Sequence, residues 1–334
     1  MSVIIRRYWF LLGLLVMIPI GLGCGYNVSG PFVPWWLKRV NPRWITAVVL
    51  FLMTFTLDSR QFLVSLKKPS PVLFAGLVNL GLLPLLACGL APLQMTLDFQ
   101  VGLMIAATVP CTLAAASVWT RKAGGNDAVS LLVTLTTNSL CVIITPFWLA
   151  QSTAQNVEFN LWYMTLRLVQ AVLIPTIAGQ LLRLIPANAR FATARKIPIG
   201  VVAQGMILLL VFTASMKAGL QLASGEAAIS SSALLLVWIC CLGLHLTGAA
   251  AGWWGSGALG LPLADRKAIL FAASQKTLPI GVLLATDPTM FGNAGVPFAI
   301  FPMLMYHTTQ LVVDTFIAQR LSLMEENQPT CAVT

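Results

Sequence analysis

The sequence predicts an all-α membrane protein of ten transmembrane helices, arranged as two inverted five-helix repeats in which the fourth and ninth helices are broken. Three observations predict it. Of 334 residues, 58% are hydrophobic and 9% charged, with a mean hydropathy of +0.86, whereas a soluble domain is nearer half apolar and a quarter charged. Ten apolar segments follow one another, each near the roughly 20 residues that a spanning helix needs. Prolines interrupt the fourth and ninth at matching depths.

In order, the segments are 9–28, 44–57, 71–91, 99–120, 128–150, 161–182, 197–216, 229–253, 268–285 and 296–318. The first follows Arg6 and Arg7 and loosely resembles a signal peptide, but it is too long for a signal core and ends without a good cleavage pattern. It is expected to stay as a first helix. The second is short. Runs such as Ala233 to Ile239 are apolar on every side, which excludes the period-two alternation of a membrane β-barrel. The chain reads as a single polytopic domain, with repeats over about 1–155 and 156–325 and a cytoplasmic tail over 321–334. An odd number of spans per repeat forces the halves into opposite orientations.

Counting Lys and Arg on alternate sides places fourteen of the twenty on one side, among them Arg6, Arg60, Lys67, Arg121, Arg183, Lys196, Arg266 and Arg320. The other side receives Lys38, Arg39, Arg43 and Lys217. By the positive-inside rule both termini are cytoplasmic, in what reads as a cell inner membrane. The net charge of +10 is then a topology signal, not a nucleic-acid surface, because the bases sit in short loops between spans. Seven cysteines, at 24, 88, 111, 141, 240, 241 and 331, show no metal-site spacing. Trp35, Trp36, Trp44, Trp253 and Trp254 sit at segment ends, as interfacial anchors do.

Polar residues inside apolar segments cost several kcal/mol when unpaired, so the informative ones are those that break the rule. Segment four meets Val109-Pro110-Cys111-Thr112 roughly 16 Å in, and segment nine meets Ser274-Gln275-Lys276-Thr277-Leu278-Pro279 roughly 12 Å in, at 1.5 Å per residue. Each proline, Pro110 and Pro279, frees backbone carbonyls near mid-membrane. Interrupted helices at matching places in two halves point to a secondary transporter working by alternating access. Ser130, Thr134 and then Thr137 or Asn138 recur on one face of segment five, a spacing that either packs helices or completes the oxygen shell of a hard cation. Asn79 is the one amide of segment three. His245 and His307 read as hydrogen-bonded packing residues, Asp314 as interfacial at roughly 27 Å along its span, and Arg167 as a residue whose partner the sequence does not reveal.

The run Pro110-Cys-Thr, Ser117, Thr120-Arg-Lys-Ala-Gly-Gly-Asn-Asp-Ala-Val-Ser130 and Thr134, followed later by Ser274-Gln-Lys-Thr-Leu-Pro-Ile-Gly281, resembles the bile acid:sodium symporter family, in particular its largely bacterial branch with the SQKTLP signature. The resemblance covers nearly the whole chain. It implies a panel domain and a core domain, with the broken fourth and ninth helices crossing near the midplane at two sodium sites. Ser117, Ser130 and Thr134 match ligands of one sodium site, and Asn79 and Gln275 match amide positions of the other. Two positions depart: Phe271 stands where those relatives carry an acidic residue bridging both sites, and Ala116 where they have a serine before an asparagine. Lys276 enters beside the second site, either as a fixed cation in place of sodium or as a partner for an anionic substrate, with Thr112, Asn138 and Thr277 around it.

The resemblance implies sodium-coupled transport of an organic anion such as an amphipathic, bile-acid-like acid. A transporter fold with lost or proton-based coupling, acting in ion homeostasis, is the alternative. No cofactor or metal beyond sodium ions is expected. The partners are membrane lipid and a small organic anion, without nucleic acid, and nothing in the sequence speaks to oligomeric state. An enzyme is disfavoured because Gly255-Ser256-Gly257 lacks the spacing of a nucleophile elbow and reads as a surface turn. A channel would want charge rings or repeated carbonyl loops, and ATP-driven transport a phosphate-binding loop, which the sequence lacks.

Overall fold

The computed structural model describes residues 2–28, 37, 39–58, 69–153, 160–225, 229–287 and 296–326. Lys38, Arg60, Lys67, Lys68, Trp35, Trp36 and Cys331 lie outside them. Every regular element among the described residues is helical. They are α1 (Ser2–Asn27), α2 (Pro42–Phe55), α3 (Ser70–Leu93), α4 (Leu97–Thr108), α5 (Ala115–Lys122), α6 (Asp127–Thr153), α7 (Leu161–Arg183), α8 (Pro186–Ala194), α9 (Lys196–Ala223), α10 (Ser231–Ala258), α11 (Leu263–Ser274), α12 (Leu278–Thr286) and α13 (Ile300–Glu326). Seven stretches are long and apolar enough to cross a membrane: α1, α3, α6, α7, α9, α10 and the α11–α12 run. The chain is a multi-pass membrane protein.

Local chemistry sets the ends. Asn41, Thr96, Asn160 and Ser230 each accept a backbone N–H of the first turn that follows, which satisfies a donor the helix itself cannot. Pro84 lacks the N–H that would bond the carbonyl of Leu80, and α3 widens there into a π turn over Val78–Leu82. The freed Leu80 carbonyl accepts the Trp148 indole N–H at 2.9 Å. Pro175 is preceded by a second π turn, Val169–Leu173, in α7. The short α8 has no counterpart among the expected segments, because nine residues of mixed polarity leave no apolar run to read.

The helices form two groups. In one, α1 packs along α9, and α2 packs on α7 and α9. The α1–α9 crossing is close: a Cβ on Gly25 would strike the backbone of Met216, and one on Gly219 that of Leu22. Small residues four apart allow such backbone contact between membrane helices. In the other group, α11 packs against α10, α3, α5 and α6, while α4 packs against α6 and α13. The α11–α12 run is buried from Lys267 to Ala285, which places this interrupted helix at the centre of the second group.

The membrane-facing expectations fare differently. Trp44 and Trp254 are exposed, and the Arg266 guanidinium lies 4.5 Å from the Trp253 ring centroid. Arg167 finds the ring of Tyr163 at 4.4 Å, one turn earlier on its own helix. Ser256 is not in a surface turn: it is buried within α10, where its hydroxyl donates to the Gly252 carbonyl at 2.5 Å.

Candidate functional site

Helicity stops between α4 and α5 at residues 109–114, and between α11 and α12 at residues 275–277. Such gaps expose carbonyls inside the protein, and each needs a donor. At the first gap four consecutive carbonyls find one: Val109 from Lys276 Nζ at 2.9 Å, Pro110 from the Thr277 N–H at 2.9 Å, Cys111 from Asn138 Nδ2 at 2.8 Å and Thr112 from Thr134 Oγ1 at 3.3 Å. The Thr112 hydroxyl in turn accepts the N–H groups of Ala114 and Ala115 at 3.3 and 3.1 Å and so starts α5. Two of the four donors come from the second gap, which ties the interrupted helices to each other.

The second gap is closed the same way. Asn79, on the π turn of α3, turns its Nδ2 to the carbonyls of Ala272, Ala273 and Gln275 at 3.2, 3.2 and 3.0 Å. That fixes the amide so that its Oδ1 faces Lys276 Nζ at 3.2 Å, and the Asn79 carbonyl receives the same nitrogen at 2.7 Å. Gln310 brackets the Lys276 peptide, accepting its N–H at 2.8 Å and donating to its carbonyl at 2.9 Å. The Ser274 carbonyl accepts the Tyr306 hydroxyl at 2.8 Å and faces His245 Nδ1 at 3.3 Å.

Lys276 is fully buried. All three of its partners, the Asn79 carbonyl, Asn79 Oδ1 and the Val109 carbonyl, are acceptors, and only an ammonium has three N–H groups to meet them. The Lys276 nitrogen therefore sits between the two gaps, with three neutral oxygens around it.

The residues expected from the sequence divide among three places. Pro110, Thr112, Thr134 and Asn138 gather at the first gap, and Asn79, Gln275 and Lys276 at the second, with Thr277 joining the two and Pro279 in the first turn of α12. Ser130 lies one turn from Thr134, which donates to its carbonyl at 2.9 Å. Ser117 is elsewhere engaged: its hydroxyl bonds Asp127 and accepts Arg121 Nη1 at 2.8 Å, within an Arg121–Asp127 ion pair of 2.7 Å. Three buried oxygens near the gaps, Ser130 Oγ, Asn138 Oδ1 and Gln275 Oε1, have no hydrogen-bond partner among the described residues.

Phe271 is buried against Ala123, Ala249, Leu270 and Ala318. A carboxylate nevertheless reaches this region, from another helix. Asp314 is fully buried: its Oδ2 accepts Gln275 Nε2 at 2.5 Å, and its Oδ1 lies 3.1 Å from His245 Nε2. Depth counted along one helix missed it, because α10 and α13 bury each other's polar side chains. The two polar residues in apolar segments were the available signal.

A cavity of about 210 Å3 adjoins both gaps, lined by Thr112, Thr277 and Pro279 on one side and by Phe10, Met53 and Gln204 on the other. It lies where the two helix groups meet. A second space of about 380 Å3, lined by Arg121, Asp127, Lys196 and Ser117, shares Met53, Val118 and Gln204 with it.

The model of the SBF-like CPA transporter family matches residues 8–323. Among similar proteins are a probable sodium/metabolite cotransporter of Arabidopsis chloroplasts, 29% identical over 84% of this chain and 68% of its own length, and sodium/bile acid cotransporter 7 of Rattus norvegicus, 20% identical over 94% of this chain and 92% of its own. An uncharacterized sodium-dependent transporter of Bacillus subtilis is 28% identical over 41% of this chain and 43% of its own length. With nearly its full length matched, and with the motifs of the bile acid:sodium symporter family at its two helix gaps, the chain belongs to the SBF-like CPA transporter family.

Proposed function

We propose that the chain is a sodium-coupled secondary transporter of amphipathic organic anions in a cell inner membrane, with one of two ancestral sodium positions taken by the Lys276 ammonium. The observation that carries this reading is the lysine's coordination. Its three N–H groups are all used by oxygens of Asn79 and Val109, which leaves none for a substrate and favours a built-in cation over a direct anion partner. Asn79 and Gln275 belong to the replaced position. The remaining sodium would sit by Ser130, Thr134 and Asn138, where two buried oxygens lack a partner; Ser117, held by Asp127, would be released or dispensed with.

Alternating access in a ten-span, inverted-repeat frame completes the proposal. Counting α4–α5 and α11–α12 as one span each, and adding α2 and α13, the contacts pair off under exchange of the halves: α1 with α9 mirrors α2 with α7, and α6 with α11 mirrors α4 with α13. The mainly apolar cavity between the groups suits an amphipathic acid.

The test is thermal unfolding of detergent-purified protein against taurocholate and smaller organic acids, in sodium and in potassium. A ligand at about 100 times its Kd stabilises by about 2.7 kcal/mol, so a sodium-specific rise in Tm is expected, lost in Ser130→Ala. In Lys276→Met the anion shift should persist. Equal Tm in sodium and potassium with every acid tried would overturn the proposal.

A further inference from the structure

An organic anion seated between the two helix groups needs a cation, and three oxygens already surround the Lys276 nitrogen. Among the described residues, no lysine, arginine, aspartate or glutamate lines the cavity of about 210 Å3. That cavity is also smaller than the roughly 300–1,000 Å3 of sites for drug-sized ligands. The adjoining space of about 380 Å3 supplies both the missing room and the missing charge. The two spaces meet at Met53, Ala114, Val118 and Gln204, which line both. Arg121 on α5 and Lys196 at the start of α9 line the larger one, so each helix group contributes one cation.

Arg121 is held at one edge only. Its Nη1 donates to Ser117 Oγ at 2.8 Å and to Asp127 Oδ2 at 2.7 Å, and the Ser117 hydroxyl bonds the same carboxylate. These contacts orient the guanidinium and leave Nε and Nη2 without a partner among the described residues, with 46% of the side chain exposed. Two parallel N–H groups on a planar edge fit a carboxylate bidentately. Lys196 is exposed and makes no hydrogen bond or ion pair with any described residue. Of the two carboxylates that line the space, Asp127 is paired with Arg121, and Asp58 is an exposed residue just past α2. We propose that Arg121 holds the anionic head of the transported acid through Nε and Nη2, a role that rests on the anion transport proposed above. Lys196 faces the head as a second cation, and the apolar body lies in the smaller cavity beside Phe10, Leu11 and Ile207. Ser117 and Asp127 are the positioning residues of that arginine. The substrate class narrows to a carboxylate on a mainly apolar frame, which when bound bridges the two helix groups.

The test is equilibrium binding to purified full-length protein, in sodium, of cholate or the tightest of the smaller carboxylic acids, and of the uncharged methyl ester of the same acid. Wild type is expected to prefer the acid to its ester by about tenfold or more in Kd, as hydrogen bonds to a charged group allow. Arg121→Gln should erase that preference by weakening the acid alone. Arg121→Lys should recover only part of it, because an ammonium keeps the charge and loses the fork. Lys196→Gln, at an exposed position, should weaken the acid by about threefold. A merely structural loss would weaken acid and ester alike, so the ratio of the two reads head recognition. Equal binding of acid and ester by wild type overturns the proposal, as does a wild-type ratio in both Arg121→Gln and Lys196→Gln. If Arg121→Gln fails to fold, the ratio in Lys196→Gln decides. Wild type that binds none of the acids defeats the transport reading itself, whereas a bound acid whose preference survives both substitutions defeats only the assignment of Arg121.

Discussion

Asn79 concentrates more of the site's chemistry than any other single residue. Its Nδ2 serves three carbonyls of the second gap, and its Oδ1 and carbonyl oxygen serve Lys276. Aspartate at this position would offer no donor, and would leave three buried carbonyls short of a partner. Each unsatisfied buried group costs about 1–3 kcal/mol. Asn79→Ala should accordingly lower stability by about 3 kcal/mol or more, seen as a fall in Tm in detergent, while Asn79→Gln, which keeps both amide functions, should lose less. Equal losses in the two variants would show that the amide chemistry is not what matters. The sequence reveals this residue as the lone amide of its segment. It does not reveal what the amide touches, because the Ala272, Ala273 and Gln275 carbonyls lie some 193 to 196 residues away in the chain.

At the scale of elements, prolines and glycines divide the labour. Pro110 and Pro279 open the helices, and this was legible, since proline in an apolar run has one local consequence. The π turn before Pro84 was not, although it rotates Asn79 toward the second gap. The pairing of His245 with Asp314 joins residues 69 apart on two helices, and no periodicity within either helix announces a partner on the other. Glycine does the opposite work at the α1–α9 crossing, where the missing side chains of Gly25 and Gly219 let the backbones touch. Gly219→Leu should force these helices apart and cost about 1–3 kcal/mol, as overpacking does; Gly23→Leu, at a position with nothing within 4 Å, should cost little. Comparison of the two variants by thermal unfolding separates crowding from helix propensity, which leucine improves at both sites.

Across the whole molecule, the two helix groups touch at ends of different character. At the end bearing Arg121 and Lys196, the spaces of about 380 and 210 Å3 lead toward the gaps. At the opposite end, Arg43 at the start of α2 pairs with Asp287 just after α12 at 3.5 Å, and Lys217 on α9 lies within electrostatic reach of the same carboxylate. One group supplies both cations and the other the anion, so this contact joins the two groups at that end. In the alternating-access cycle proposed above, that pair would latch the conformation seen here. Asp287→Asn should weaken it, and each 1.4 kcal/mol lost shifts a two-state ratio tenfold. Val118 lines both spaces, so Val118→Cys, added to protein in sealed vesicles, should react with an impermeant maleimide from the Arg121 side. The rate should fall when Asp287→Asn or Arg43→Gln is combined with it, as the opposite conformation gains population. Unchanged labelling in both double variants would mean that the Arg43–Asp287 contact is a surface pair of little consequence, and that closure of this end is held by the apolar contacts of α2 and α9 with α12 instead.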